Sequence, residues 1–153
     1  MQEFDPQAAR VKPGYVVAAE EAVEFPMTAE DRRDLARGIE LFNGGEFWES
    51  HEAWEQIWLR HSEPARVFLQ ALIQLAAAYH QLNRGIHHGV VKHFNNVALK
   101  LGPFSGRFFG VDVDAVKVAV ATGQAEIARV GAGGTGEFDR ALICRIDSNW
   151  STS

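Results

Sequence analysis

Along most of the chain, apolar positions recur three and four residues apart, and capping residues, glycines and prolines break the pattern into segments of helical length. Thr28 can cap a first helix whose opening turn carries Glu30 and Asp31, where the helix dipole favours acids. Leu35, Ala36, Ile39 and Phe42 form its apolar stripe, and Asn43-Gly44-Gly45 ends it. A second helix is predicted from about Glu46 to Arg60. Ser62-Glu63-Pro64 opens a third, since serine can cap and proline is tolerated in a first turn, and it runs to about Arg84 before Gly85. A fourth spans about His87 to Leu101 and is closed by Gly102-Pro103. A loop containing Phe104, Phe108 and Phe109 leads to Asp112, which caps a fifth helix carrying Val113, Val116, Val120, Ile127 and Val130.

The ends are less regular. Residues 1–27 contain Pro6, Pro13, Gly14 and Pro26 without a sustained period and read as an arm packed on the surface. Gly131 to Gly136 reads as a flexible break, and Phe138 to Ile146 fits helix and strand equally. The expectation is therefore an all-α fold, a compact bundle of about five helices built from antiparallel hairpins. Its helical domain covers 28–131, between the arm and a C-terminal segment at 132–153. An offset of 40 residues places Asn43 on Asn83, Gly45 on Gly85, Trp54 on Phe94 and Leu59 on Leu99, a faint repeat that suggests two stacked hairpins.

Composition narrows the class. Of 153 residues, 46% are hydrophobic and 23% charged, the balance of an ordinary globular domain. One cysteine, Cys144, cannot build a disulfide framework or a cysteine zinc cluster and fits a reducing compartment, so a cytoplasmic location is expected. The first 30 residues carry six acids and no apolar run behind a basic start, which speaks against a signal peptide. The richest apolar stretch, Val67 to Tyr79, is broken by Gln70 and Gln74 and reads as a core helix, with no membrane span expected. A net charge of −5 speaks against general affinity for nucleic acid. That charge is segregated. From Pro64 to Val111 there is no Asp or Glu, while Arg66, Arg84, Lys92, Lys100 and Arg107 give +5, leaving −10 for the remainder. His80, His87, His88 and His93 fall in the same acid-free stretch.

The candidate chemistry lies on helices two and three. On a helical wheel Phe47, Trp48, His51, Trp54, Glu55 and Trp58 share one broad face, with Glu52 at its edge and Glu49, Ala53, Gln56 and Arg60 opposite. A histidine and a carboxylate one turn apart thus accompany the tryptophans. On helix three, Arg66, Gln70, Gln74, Ala77, Gln81 and Arg84 form a polar stripe flanked by His80, either a solvent face or the wall of a polar cleft. Across an antiparallel hairpin, His51 and Glu55 would face Gln70 and Gln74, giving indole surfaces beside a few polar groups, the makeup of a small-ligand pocket. His51-Glu52 also resembles the opening of a zinc-protease motif, but Glu55 replaces its second histidine. His51, Glu55 and His80 are then candidate metal ligands, with Glu52 as base. No phosphate-binding glycine loop or nucleophile elbow is present.

These residues resemble the family catalogued as domain of unknown function 309. The runs that carry the resemblance are Phe42-Asn43-x-Gly45-x-Phe47-Trp48-Glu49-x-His51-Glu52-x-Trp54-Glu55-x-x-Trp58, Phe68-Leu69-Gln70-x-Leu72-Ile73-Gln74-x-Ala76-Ala77-x-x-His80, Arg84-Gly85 and Phe109-Gly110-Val111-Asp112-Val113. Ile86 departs from the polar residue expected after Arg-Gly there. The resemblance implies a compact helical domain from prokaryotic cytoplasm and brings no reaction or cofactor with it. The functional expectation is a module that binds a small molecule or protein partner in a groove lined by Trp48, His51, Glu52, Glu55, Trp58, Arg66, Gln70, Gln74, His80 and Arg84. A metal-assisted hydrolase and a self-associating structural domain are the alternatives.

Overall fold

A computed structural model describes residues 16–150, and the sequence expectations for the arm before Val16 lie outside them. Five helices follow one another as the pattern predicts: α1 (Ala29–Asn43), α2 (Phe47–Arg60), α3 (Arg66–Asn83), α4 (His87–Leu101) and α5 (Val113–Val130). Each packs on the next, so the chain folds as an up-and-down array with α3 at its centre. Among the described residues, no helix is long and apolar enough to cross a membrane.

The caps act as the sequence indicates. Thr28 Oγ1 accepts from Asp31 N while Asp31 Oδ2 accepts from Thr28 N, both at 3.0 Å, a reciprocal closure of two otherwise orphaned donors. Asp112 accepts from Ala115 N at 3.1 Å and starts α5. The start of α3 differs. Ser62 makes no cap; Glu63, Pro64 and Ala65 form a turn whose carbonyls accept from Arg66, Val67 and Phe68, and regular helix begins at Arg66.

The faint repeat has a structural counterpart. Glu46 N donates to Leu41 O in the first turn and Ile86 N donates to Gln81 O in the second. In both, the glycine takes a left-handed conformation, φ 83° at Gly45 and 74° at Gly85. At the other paired positions, Trp54 and Phe94 are buried, whereas Leu59 and Leu99 are exposed.

Helix α2 turns a different face inward from the one the wheel selected. It buries Phe47, Ser50, Ala53, Trp54, Ile57 and Trp58, leaving Trp48 50% exposed. Because α2 lies between α1 and α3, its core face centres on Trp54 and Ile57, rotating Ala53 inward and Trp48 outward. Close approach to α1 depends on a missing side chain. A Cβ on Gly38 would lie 2.2 Å from Trp54 Nε1, and that indole donates to Leu35 O at 3.3 Å. One aromatic cluster joins Phe42, Phe47, Trp54, Tyr79 and Phe94, and a second joins Phe25, Phe68, Phe104, Phe108 and Phe109.

Where the sequence reads a phenylalanine loop, β1 (Arg107–Phe108) pairs antiparallel with β2 (Val111–Asp112). Phe109 and Gly110 connect them with φ of 48° and 74°, the positive values that a tight hairpin turn of this hand requires at both positions. For phenylalanine this conformation is strained by about 1–2 kcal/mol. Its surroundings hold it: Glu24 Oε2 accepts from Phe109 N at 2.7 Å, and Trp150 Nε1 donates to Phe109 O at 2.6 Å.

After α5 the chain forms 3-10 turns at Thr135–Glu137 and Arg140–Leu142, then runs extended across the array. Phe138, Cys144 and Ile146 enter the core; Cys144 N donates to the Tyr79 hydroxyl, and both backbone polar groups of Ile146 bond the Asn43 amide. Glu126 anchors the turn region. Hydrogen bonds from Arg129 and from Asp139 N hold its carboxyl down to about 2.

Candidate functional site

Helix α3 would be an ordinary central helix but for its glutamines. Gln70 is 2% exposed, and among the described residues neither atom of its amide has a hydrogen-bond partner. The amide oxygens of Gln74 and Gln81 are also buried without one. Most of the stripe is thus covered to some degree, with Gln70 buried and Arg66, Gln74, Ala77 and Gln81 intermediate, while Arg84 at its far end is exposed.

Helix α2 brings His51 and Glu55 to the flank of this stripe, 20% and 21% exposed at the side chain, with Nε2 and Oε2 3.9 Å apart. Trp48 stacks on His51 at 5.0 Å with 15° between the planes and lies 5.2 Å from the His80 ring, so one indole touches both imidazoles. Glu52 is exposed. Trp58 is buried toward the core, and the Arg66 guanidinium lies 3.9 Å over its ring while donating to His61 O at 3.0 Å. These two residues clamp the α2–α3 turn.

A third polar flank was missed by sequence reasoning. On α4, Gly89, His93, Asn96 and Lys100 recur at helical spacing beside the apolar stripe of Val90, Phe94, Val97 and Leu101. A Cβ on Gly89 would come 3.1 Å from Gln81 Cγ, which shows that this flank faces the glutamines. His93 Nδ1 is buried without a partner. Burial, then the charges of Lys92 and His51, push the His93 pKa below its ordinary value. Asn96 is 9% exposed; Lys100 is fully buried, and that burial lowers its pKa. The signal was available, because the same polar spacing on an apolar helix had singled out α3. Glu49 also has a buried oxygen without a partner, but the α2 periodicity puts it on the flank opposite His51.

Among the described residues, no group of three His, Cys, Asp or Glu side chains is placed to hold a metal ion. The arrangement suits hydrogen-bonded recognition: an amide floor between an imidazole-carboxylate wall and an imidazole-amine wall.

A second polar constellation ties the start of α1 to the end of α2. Fully buried Asp31 accepts from Arg60 Nε at 2.8 Å and lies 2.7 Å from His61 Nε2. Arg60 also reaches Asp34 at 2.7 Å. Burial alone would raise the Asp31 pKa, but the bonds from His61, Thr28 and Arg60 outweigh it and hold the carboxyl below its ordinary 3.8. Phe25 stacks on the His61 ring at 4.0 Å. With partners about thirty residues apart, no local spacing announced this network.

The fold is a compact, mainly helical domain whose central helix carries buried glutamine side chains. Residues 35–93 match the family model described as a domain of unknown function, DUF309, the family whose motifs the sequence carries. The match runs from α1 to His93; Asn96 and Lys100 on α4 and the Phe109–Val113 run fall beyond it. No curated protein matches the chain.

Proposed function

We propose that the chain is a binding module whose groove, floored by α3 and walled by α2 and α4, receives a small hydrogen-bonding molecule. The observation that carries this reading is the Gln70 amide, buried with both atoms unpartnered. A buried polar group left in that condition costs about 1–3 kcal/mol, and a ligand that pairs with it would recover the loss. The half-buried His51–Glu55 pair and the exposed Trp48 ring beside it form a mouth where apolar surface adjoins polar groups. In this reading the protein belongs to prokaryotic cytoplasm, in keeping with its single, buried thiol. It has no nucleic-acid partner, in keeping with its net charge of −5.

The test is a thermal-shift comparison of wild type and Gln70→Leu across a panel of free amino acids, small amides and carboxylic acids. The variant is expected to melt higher without ligand and to lose the shift that a panel member gives the wild type. A variant that melts lower, or responds to the panel as the wild type does, overturns the reading.

A further inference from the structure

A cleft lies where three segments distant in sequence meet at the strained hairpin. It is a half-open cleft of about 490 Å³, within the range of small-molecule sites. Phe25, Phe109 and Trp150 give it flat apolar walls, and Arg32 and Arg107 bring two guanidinium groups to its lining. Each guanidinium is steadied by a backbone carbonyl: Arg32 donates to Met27 O at 2.8 Å and Arg107 to Gly110 O at 3.2 Å. Glu24 supplies the one carboxylate in the lining, and its Oε2 is engaged by Phe109 N at 2.7 Å. Outside the lining, Asp147 meets Arg107 at 3.2 Å in an exposed pair, 47% and 65% exposed at the side chains.

We infer that this cavity binds a planar aryl carboxylate, its ring against Phe109 and Trp150 and its carboxylate on Arg32 and Arg107. Guanidinium forks match a carboxylate in geometry and in charge, and flat rings favour a flat partner. The conformation of Phe109 supports the assignment. The bond from Trp150 Nε1 to Phe109 O that helps hold this backbone at φ 48° also fixes the indole, so that wall is in place before a ligand arrives. This inference is independent of the groove on α3.

Benzoate, benzamide and inorganic phosphate are titrated into the full chain by calorimetry, with the Arg32→Gln, Arg107→Gln double variant beside the wild type and circular dichroism to check its fold. Benzoate should bind saturably, at least tenfold tighter than either benzamide or phosphate, and at least tenfold more weakly to the double variant. Absence of saturable benzoate binding, equal binding of benzamide, or unchanged binding by the folded double variant overturns it. Should the double variant not fold, Arg32→Gln alone is read by the same criterion. Gln70→Leu should leave benzoate affinity unchanged, which separates the two sites.

Discussion

Gly38→Ala is expected to destabilise the protein, against the usual direction of a glycine-to-alanine change inside a helix. On an exposed helix the change would gain about 1 kcal/mol. Here the new methyl would sit 2.2 Å from Trp54 Nε1, 2.5 Å from Cδ1 and 2.7 Å from Cε2, and the indole is fully buried, so it must move. Overpacking of this kind costs about 1–3 kcal/mol. Moving the ring also strips its N–H from Leu35 O, at about a further 1–3 kcal/mol. The net expectation is a loss of about 1–5 kcal/mol, read as a lowered urea midpoint, with a melting temperature down by about 2–4 °C per kcal/mol. The cycle with Trp54→Ala isolates the cause. In that background the methyl meets no indole, so Gly38→Ala should be neutral or stabilising. A stabilising Gly38→Ala in the wild-type background, or an equal loss in both, would refute the packing argument.

Three further outcomes follow from the structure. Trp54→Ala alone should cost about 3–5 kcal/mol in denaturant melts, as deletion of a fully buried indole does, and a loss below about 1 kcal/mol would show the ring to be peripheral. The Asp31 carboxyl is held below 3.8, so its stabilisation is complete above that value and disappears as pH falls through the lower folded value. Asp31→Asn should therefore cost about 3–5 kcal/mol at neutral pH and flatten the stability-pH curve below about pH 4, whereas an unchanged acid limb would contradict the network. Burial pushes the Cys144 thiol up to about 12, so alkylation at neutral pH should await opening of the C-terminal segment; labelling at the rate of a free thiol would contradict its burial.

Five helices and most of their ends were legible in the sequence because each is announced locally. Thr28 with Asp31, the Gly44-Gly45 and Gly85 turns, and Asp112 all act within four residues of what they cap. What was not legible depends on partners far away. A wheel drawn for α2 alone gave Trp48 and Trp54 the same face, whereas being wedged between α1 and α3 separated them. Periodicity singled out the polar residues of α2 and α3, but His93, Asn96 and Lys100 joined them only once α4 was laid against α3. The Asp31–Arg60–His61 network and the cavity beside Phe109 have no local signature, because their members come from opposite ends of hairpins or of the chain.

The Asn43 amide occupies the place of a missing strand, giving its N–H to Ile146 O and taking the N–H of Ile146 across a separation of 103 residues. The helices themselves pack mainly on their neighbours in the chain, contacts that form quickly because little loop entropy is lost. With the bonds from Cys144 N to the Tyr79 hydroxyl and from Trp150 Nε1 to Phe109 O, this clasp ties the last segment back across nearly the whole length of the domain. The helical array can therefore fold and persist while the last stretch detaches, and the segment from Phe138 onward becomes the least protected cooperative unit. In hydrogen exchange the Ile146 amide should open at lower free energy than the amides of α3, and Asn43→Ala should lower the free energy of opening the C-terminal segment without melting the bundle.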